Sequence, residues 1–250
     1  MSSKQKQRKA AARARYESYL ARRAEKARRH RRNQFIVAGV VIVAIVGAAA
    51  LWTGGVFSDE SPASADPAAS SSPPPVQFPK AEQVLDKGVP ASATLVTNQG
   101  DITFKMDTEG APVNSNSVAF LAQQGYYDGT SCHRLTAADG LYVLQCGVPL
   151  GDGTGSPGYF TVDENLPKLG GDNYPVGTVA MAEGPEGVPG SQFFLVYKDT
   201  TLPADYVILG QITDGLDIVQ KIAAGGVAGG GTDGAPATPI TIESVTVDQG

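Results

Sequence analysis

Ala93-Thr-Leu-Val-Thr97 and Ile102-Thr-Phe-Lys-Met106 stand on either side of Asn98-Gln-Gly-Asp101. Side chains alternate in both runs, and the segment between them carries the glycine of a tight turn, so the stretch reads as a β-hairpin. Toward the C-terminus, Pro112 opens a helical stretch through residue 124, with Val118 and Leu121 three apart and Gly125 as its stop. Residues 132–135, 141–146, 178–182, 193–197 and 206–212 read as strands. A second helix is expected over 217–222, entered through Thr213-Asp214, and 240–247 alternates again as a closing strand. Many strands, two helices and Gly-rich loops predict a mainly β domain, an antiparallel barrel with helices covering its ends. It occupies residues 80–250, roughly 170 residues, enough for a sizeable core.

Toward the N-terminus the composition changes twice. Residues 53–79 are dominated by Ser, Ala, Pro and Gly and include Pro73-Pro74-Pro75, which suits an extended tether better than a packed element. Residues 35–52, FIVAGVVIVAIVGAAALW, hold no charge over eighteen positions. As a helix this stretch spans roughly 27 Å, close to the hydrocarbon thickness of a bilayer. Residues 1–34 carry thirteen Lys or Arg against Glu17 and Glu25, a net +11, whereas the remainder carries seven basic and 23 acidic residues, a net −16. The positive-inside rule then places residues 1–34 in the cytoplasm and everything after Trp52 outside. Ala48 and Ala50 form a weak small-x-small cleavage pattern, but the long basic region and the apolar length favour an uncleaved single-pass anchor. The basic leader reads as an orientation signal leaning on cytoplasmic headgroups; with no aromatic platform beside it, nucleic acid is not an expected partner.

Several familiar chemistries are absent. A four-ligand zinc site of Cys and His would need both cysteines and both histidines, and His30 lies in the basic leader. Gly151-Asp-Gly-Thr-Gly-Ser-Pro-Gly158 lacks the Lys-Ser/Thr of a phosphate loop. Cys132 and His133 are sequence neighbours whose side chains would point to opposite faces of a strand, so they do not form a nucleophile–base pair. His133 reads as a structural histidine. No pair of acids has the pattern of a glycosidase or protease. One residue stands out: beyond the apolar segment there is a single arginine, Arg134, in a strongly acidic domain. Taken alone, it would be expected to pair with a carboxylate and do nothing more.

Its neighbours say otherwise. Cys132-His-Arg-Leu135, Leu144-Gln-Cys-Gly147 and Gly190-Ser-Gln-Phe-Phe194 together resemble the cyclophilin family of peptidyl-prolyl isomerases. Tyr126-Tyr-Asp-Gly-Thr130, Met181-Ala182 and Tyr206-Val-Ile-Leu-Gly210 fall in the family's order, and the similarity covers about residues 92–247. It implies a closed eight-stranded antiparallel β-barrel capped by two helices. It also implies that Arg134 is the catalytic guanidinium, with no cofactor and no metal. Phe194 matches the floor of the proline pocket, and Tyr142 and Val143 its walls. Gln145 and Gln192 match the amides that position the substrate backbone and the arginine. Ala182 and Glu183 sit where the family contacts the residue before proline, and Leu202 and Tyr206 fall on the far rim.

The chain departs from the commoner pattern in four ways. Arg134 to Gln145 is a few residues longer, through Thr136-Ala-Ala-Asp-Gly140; Tyr142 adds a hydroxyl; Val143 is smaller than the frequent Met; and Cys146 replaces a Gly. The only tryptophan, Trp52, lies outside the domain, so the resemblance implies weak cyclosporin affinity. Cys132 and Cys146 bracket the strand pair in a compartment that permits disulfides. Strand parity puts Cys132 on the face of Arg134 and Gln145 and Cys146 on the other, so a bond between them needs a bulge. The expectation is a membrane-tethered prolyl isomerase acting on exported or cell-envelope polypeptides. Its rival is a binding or chaperone module of the same fold that holds proline-containing segments without turnover.

Overall fold

The computed structural model describes residues 76–250, except 139, 150–152, 154, 185 and 186. The expectations for residues 1–34 and 35–52, and for nearly all of 53–79, lie outside the described residues. Among the described residues no helix is long and apolar enough to cross a membrane.

The hairpin is present. β1 (Ala91–Thr97) and β2 (Ile102–Met106) pair antiparallel with Leu95 opposite Ile102, and β1 strictly alternates buried with half-buried positions. α1 (Pro112–Gln123) follows, its proline in the first turn where the missing N–H costs nothing. Its polar residues Asn114, Ser115, Asn116 and Ser117 are all buried. The loop residue Glu164 accepts from the Asn114 backbone N–H at 2.7 Å and so caps the helix from fifty residues away. Asn116 accepts from the N–H groups of Val84 and Leu85 at 2.8 and 3.0 Å and thereby straps the segment before β1 onto the helix. Phe78 adds to this strap by packing edge-on against Phe120, with ring centroids 5.2 Å apart.

The chain continues through β3 (Thr130–Ser131), β4 (Arg134–Thr136), β5 (Val143–Cys146), β6 (Thr178–Glu183), β7 (Pro189–Val196) and β8 (Ile208–Asp214). Then come α2 (Leu216–Ala224), β9 (Asp233–Gly234) and β10 (Thr241–Gln249). The left-handed Gly215 makes the turn into α2; a Cβ there would collide with the carbonyl oxygen of Asp101.

The expected closed eight-stranded barrel is corrected to an open, half-barrel ladder of ten strands, in the order β3-β10-β1-β2-β8-β6-β7-β5-β4-β9. The reason lies at Cys132 and His133. The predicted strand 132–135 begins only at Arg134, and the Cys132 N–H bonds instead to Ile240 O at 3.1 Å. β3 therefore pairs with β10 and β4 with β5 and β9, at opposite ends of the sheet. Between them the chain itself and the Cys132–Cys146 disulfide cross the seam.

The register sorts residues cleanly onto two faces. Leu135 opposes Leu144, Leu144 opposes Leu195, and Leu195 opposes Val179. All four are fully buried in the main core, together with Val118 and Leu121 of α1 and Val219 and Ile222 of α2. Because successive strand residues point to opposite faces, the neighbours of these leucines form a second row on the other side. That second row carries the site.

Candidate active site

Arg134 lies opposite Gln145, Gln145 opposite Phe194, Phe194 opposite Ala180, and Ala180 opposite Ile208. One row of side chains thus crosses β4, β5, β7, β6 and β8 on the face turned away from the main core. Arg134 and Phe194 stand two strand spacings apart, roughly 10 Å. Around Phe194 a small apolar cluster, separate from the main core, gathers Val143, Tyr174, Ala180, Ala182 and Val196, with Leu141, Leu202, Tyr206 and Ile208 packed against it. The rings of Phe194 and Tyr206 meet edge-on at 5.5 Å.

A chain of two amides runs from the cation along the edge of this cluster to the Gly153 loop. Arg134 Nη1 donates to Gln145 Oε1 at 3.2 Å, Gln145 Nε2 donates to Gln192 Oε1 at 2.7 Å, and Gln192 Nε2 donates to the carbonyl of Gly153 at 3.2 Å. Each amide is oriented by the one before it. On its other edge the guanidinium is gripped by Asp233: Nε donates to Oδ1 and Nη2 to Oδ2, both at 2.7 Å. This bidentate pair raises the arginine's affinity for its proton and holds the Asp233 carboxyl below the usual carboxylate range. Three of five N–H donors are thus used by described residues, and two remain for a ligand.

A second layer fixes Gln192. Ser191 Oγ donates to Gly147 O at 2.8 Å, Tyr126 Oη lies 3.3 Å from Ser191 Oγ, and Tyr127 Oη donates to Ser191 O at 3.3 Å. Burial pushes both phenols up, so they stay protonated donors. Gly147 adopts φ +93°, and a Cβ there would lie 2.6 Å from Ser191 O, so only glycine lets β5 leave this close to β7.

The structure places the expected residues unequally. Arg134, Gln145, Gln192, Phe194, Val143 and Ala182 converge, with Leu202 and Tyr206 on the rim of the cluster. Glu183 ends β6 beside Ala182 and is half-buried. Tyr142 is not brought into the cluster: its ring packs edge-on against Tyr197 at 5.9 Å, with Lys198 Nζ 4.3 Å from its centre. Leu141 is packed into the cluster in its place. Cys132 and Cys146 form a disulfide with Cα atoms 4.0 Å apart, and both belong to the main core. The expected parity is corrected here too. Cys132 lies outside β4, so counting back from Arg134 by twos does not reach it.

Sequence reasoning missed Asp233 and Tyr174. The fully buried Tyr174 donates to Tyr206 O at 3.0 Å and accepts from the Tyr206 N–H at 3.0 Å, holding the rim loop down. Burial raises its phenol far above the ordinary value. An acid in the Gly-rich run Gly229-Gly-Gly-Thr-Asp-Gly234 was the available clue to Asp233, and a lone arginine in need of a counter-charge was the other.

Residues 92–247 match the family model described as cyclophilin type peptidyl-prolyl cis-trans isomerase/CLD. A "Probable peptidyl-prolyl cis-trans isomerase B" of Mycobacterium tuberculosis is 47% identical over 184 residues, 70% of this chain and 60% of that protein. The protein of the same description from Mycobacterium leprae is 47% identical, covering 70% of this chain and 62% of its own. The chain thus spans about 60% of the length of these mycobacterial relatives. A solved Cryptosporidium parvum cyclophilin type peptidyl-prolyl cis-trans isomerase superposes with TM-score 0.55 at 26% identity, over 64% of this chain and 99% of that one. A second structure of that protein, determined in the presence of the dipeptide Ala-Pro, gives TM-score 0.54. With this match over most of the described domain, the chain belongs to the cyclophilin-type peptidyl-prolyl cis-trans isomerase family.

Proposed function

We propose that this protein is a peptidyl-prolyl cis-trans isomerase acting on exported or cell-envelope polypeptides while residues 35–52 hold it in the membrane. Rotation about an X–Pro bond meets a barrier of about 18–20 kcal/mol because amide resonance is lost. Halfway round, the nitrogen becomes pyramidal and basic, and a donor aimed at it lowers the barrier without any bond to carbon being made or broken. Arg134 supplies that donor. It is permanently charged, and its two remaining N–H groups leave on the edge not taken by Asp233. The ring of the substrate proline sits on Phe194 and Val143, Ala182 meets the residue before it, and Gln145 and Gln192 hold the flanking peptide groups. The observation that carries this reading is the single row Arg134–Gln145–Phe194 on the face turned from the main core.

A protease-coupled isomerisation assay on the full chain tests the reading. Turnover well above the uncatalysed rate supports it; peptide binding with no turnover returns the protein to the binding-module class. Phe194→Ala is expected to raise KM about ten- to a hundredfold, because the pocket loses a ring whose burial is worth about 1.5–3 kcal/mol. An unchanged KM places the proline elsewhere.

The membrane placement draws support from charge: thirteen basic residues precede the apolar stretch, and a net −16 follows them. Fractionating cells and adding protease from outside are expected to find the chain in membranes with residues 80–250 digestible. A shortened product free in the medium would end the anchor reading.

A further inference from the structure

Asp233 is not an ordinary surface partner of Arg134. Its backbone is fixed on both sides before its side chain does anything. In the β4–β9 ladder it opposes Thr136, and the Ala137 N–H reaches Thr232 O at 2.8 Å. Behind it the Gly-rich segment folds into a narrow ribbon, closed by Ala228 N–H to Ala235 O and Ala237 N–H to Gly226 O, both at 2.8 Å. Asp233 therefore stands diagonally across from Arg134 on a tethered strand, where side chains of neighbouring strands reach each other. Its carboxylate takes the Nε and Nη2 donors, and Gln145 takes one on Nη1. Those three bonds set the plane of the guanidinium, close its Nε–Nη2 side, and leave one N–H on Nη1 and one on Nη2 unspent.

We infer that Asp233 is a positioning residue for the isomerisation: it turns Arg134 so that the end of its guanidinium, rather than its side, meets the rotating imide nitrogen. The inference rests on the catalytic reading of Arg134. A neutralising carboxylate also weakens the field of the cation, so two effects oppose one another. Geometry wins. The two side chains are 38% and 52% exposed, and water at that exposure screens the charge–charge part of the pair. The directional part is not screened, and a donor displaced by an ångström loses far more than a donor slightly dimmed. Asp233 is ionised whenever the enzyme is assayed near neutrality, because Arg134 holds its carboxyl down.

The experiment uses the full chain and three variants: Asp233→Ala, Asp233→Asn and Arg134→Ala, each with a melting curve. Asp233→Ala is expected to lower kcat by on the order of tenfold to a hundredfold with KM nearly unchanged. Asp233→Asn, which keeps the shape and one acceptor, is expected to fall between it and the wild type. Formate added to Asp233→Ala restores part of the lost kcat by docking on the same guanidinium edge, whereas chloride at equal ionic strength does not. In the double variant with Arg134→Ala, losing Asp233 costs nothing further. Should Asp233→Ala fail to fold, the Asn variant and its double carry the same comparison.

Three results overturn the inference while leaving the catalytic role of Arg134 intact: full kcat in a folded Asp233→Ala, losses that add in the double variant, or formate without effect. Full activity in Arg134→Ala overturns both together.

Discussion

Arg134→Ala is expected to lower kcat/KM by on the order of 10²–10³-fold, the usual effect of removing one preorganised donor from a developing charge. The loss should fall on kcat, because the proline still has Phe194 and Val143 to rest on. Stability should barely move. The arginine is 38% exposed, its carboxylate partner Asp233 is 52% exposed, and such pairs contribute only about 0–1 kcal/mol. The Asp233 carboxylate left behind is solvated rather than stranded. Arg134→Lys should recover little, since a point charge cannot grip a carboxylate on one edge and present a second edge to substrate. Exchange NMR on a proline-containing peptide measures the rate directly. An Arg134→Ala protein within a few-fold of wild type would remove the mechanism.

The second large effect concerns the disulfide. Cys132 and Cys146 are fourteen residues apart, and closing a loop of that size stabilises a domain by about 3 kcal/mol. For a domain of this length that corresponds to a fall in Tm of roughly 6–12 °C in the Cys132→Ala/Cys146→Ala double variant. Both positions are buried among the main core side chains, so the small voids left by two sulfurs add to the loss. Activity should drop less steeply than stability. Cys146 adjoins Gln145 and Cys132 lies two residues before Arg134, but the Arg134–Gln145 pairing has ladder hydrogen bonds of its own. Thermal melts with and without reductant decide the matter. Wild type should lose the margin in reductant and the double variant should not respond; equal melting of the wild type in both buffers would show that the bond contributes nothing.

Much of the site was legible because its residues come in short words on strands. Arg134, Gln145, Gln192 and Phe194 sit in tripeptides whose alternation fixes which side chains share a face, and the ladder then brings them together. Pattern failed where partners come from far along the chain. Asp233 reaches Arg134 over ninety-nine residues, and nothing in a Gly-rich turn announces which acid will face which base. Tyr174 was invisible for the same reason: a tyrosine in a loop reads the same whether its phenol is wet or, as here, fully buried. Tyr142 shows the opposite failure. Its position agrees with a pocket wall, yet it takes the opposite parity to Val143 and packs against Tyr197. The barrel closure and the parity of Cys132 were misjudged together, at Cys132 and His133, because a two-residue break in a strand leaves no mark on a period-two pattern.

The open ladder has a consequence for a protein of the proposed trade. Its terminal strands, β3 and β9, are two residues long, and β9 gives way on one side to a ribbon full of glycine. Unfolded clients are extended chains looking for a row of free amides to add themselves to, and a long rim would collect them indiscriminately. Rims this short offer no template for such zippering. A client can then be gripped for one bond, turned, and let go, which is what distinguishes a helper of folding from a nucleus of aggregation.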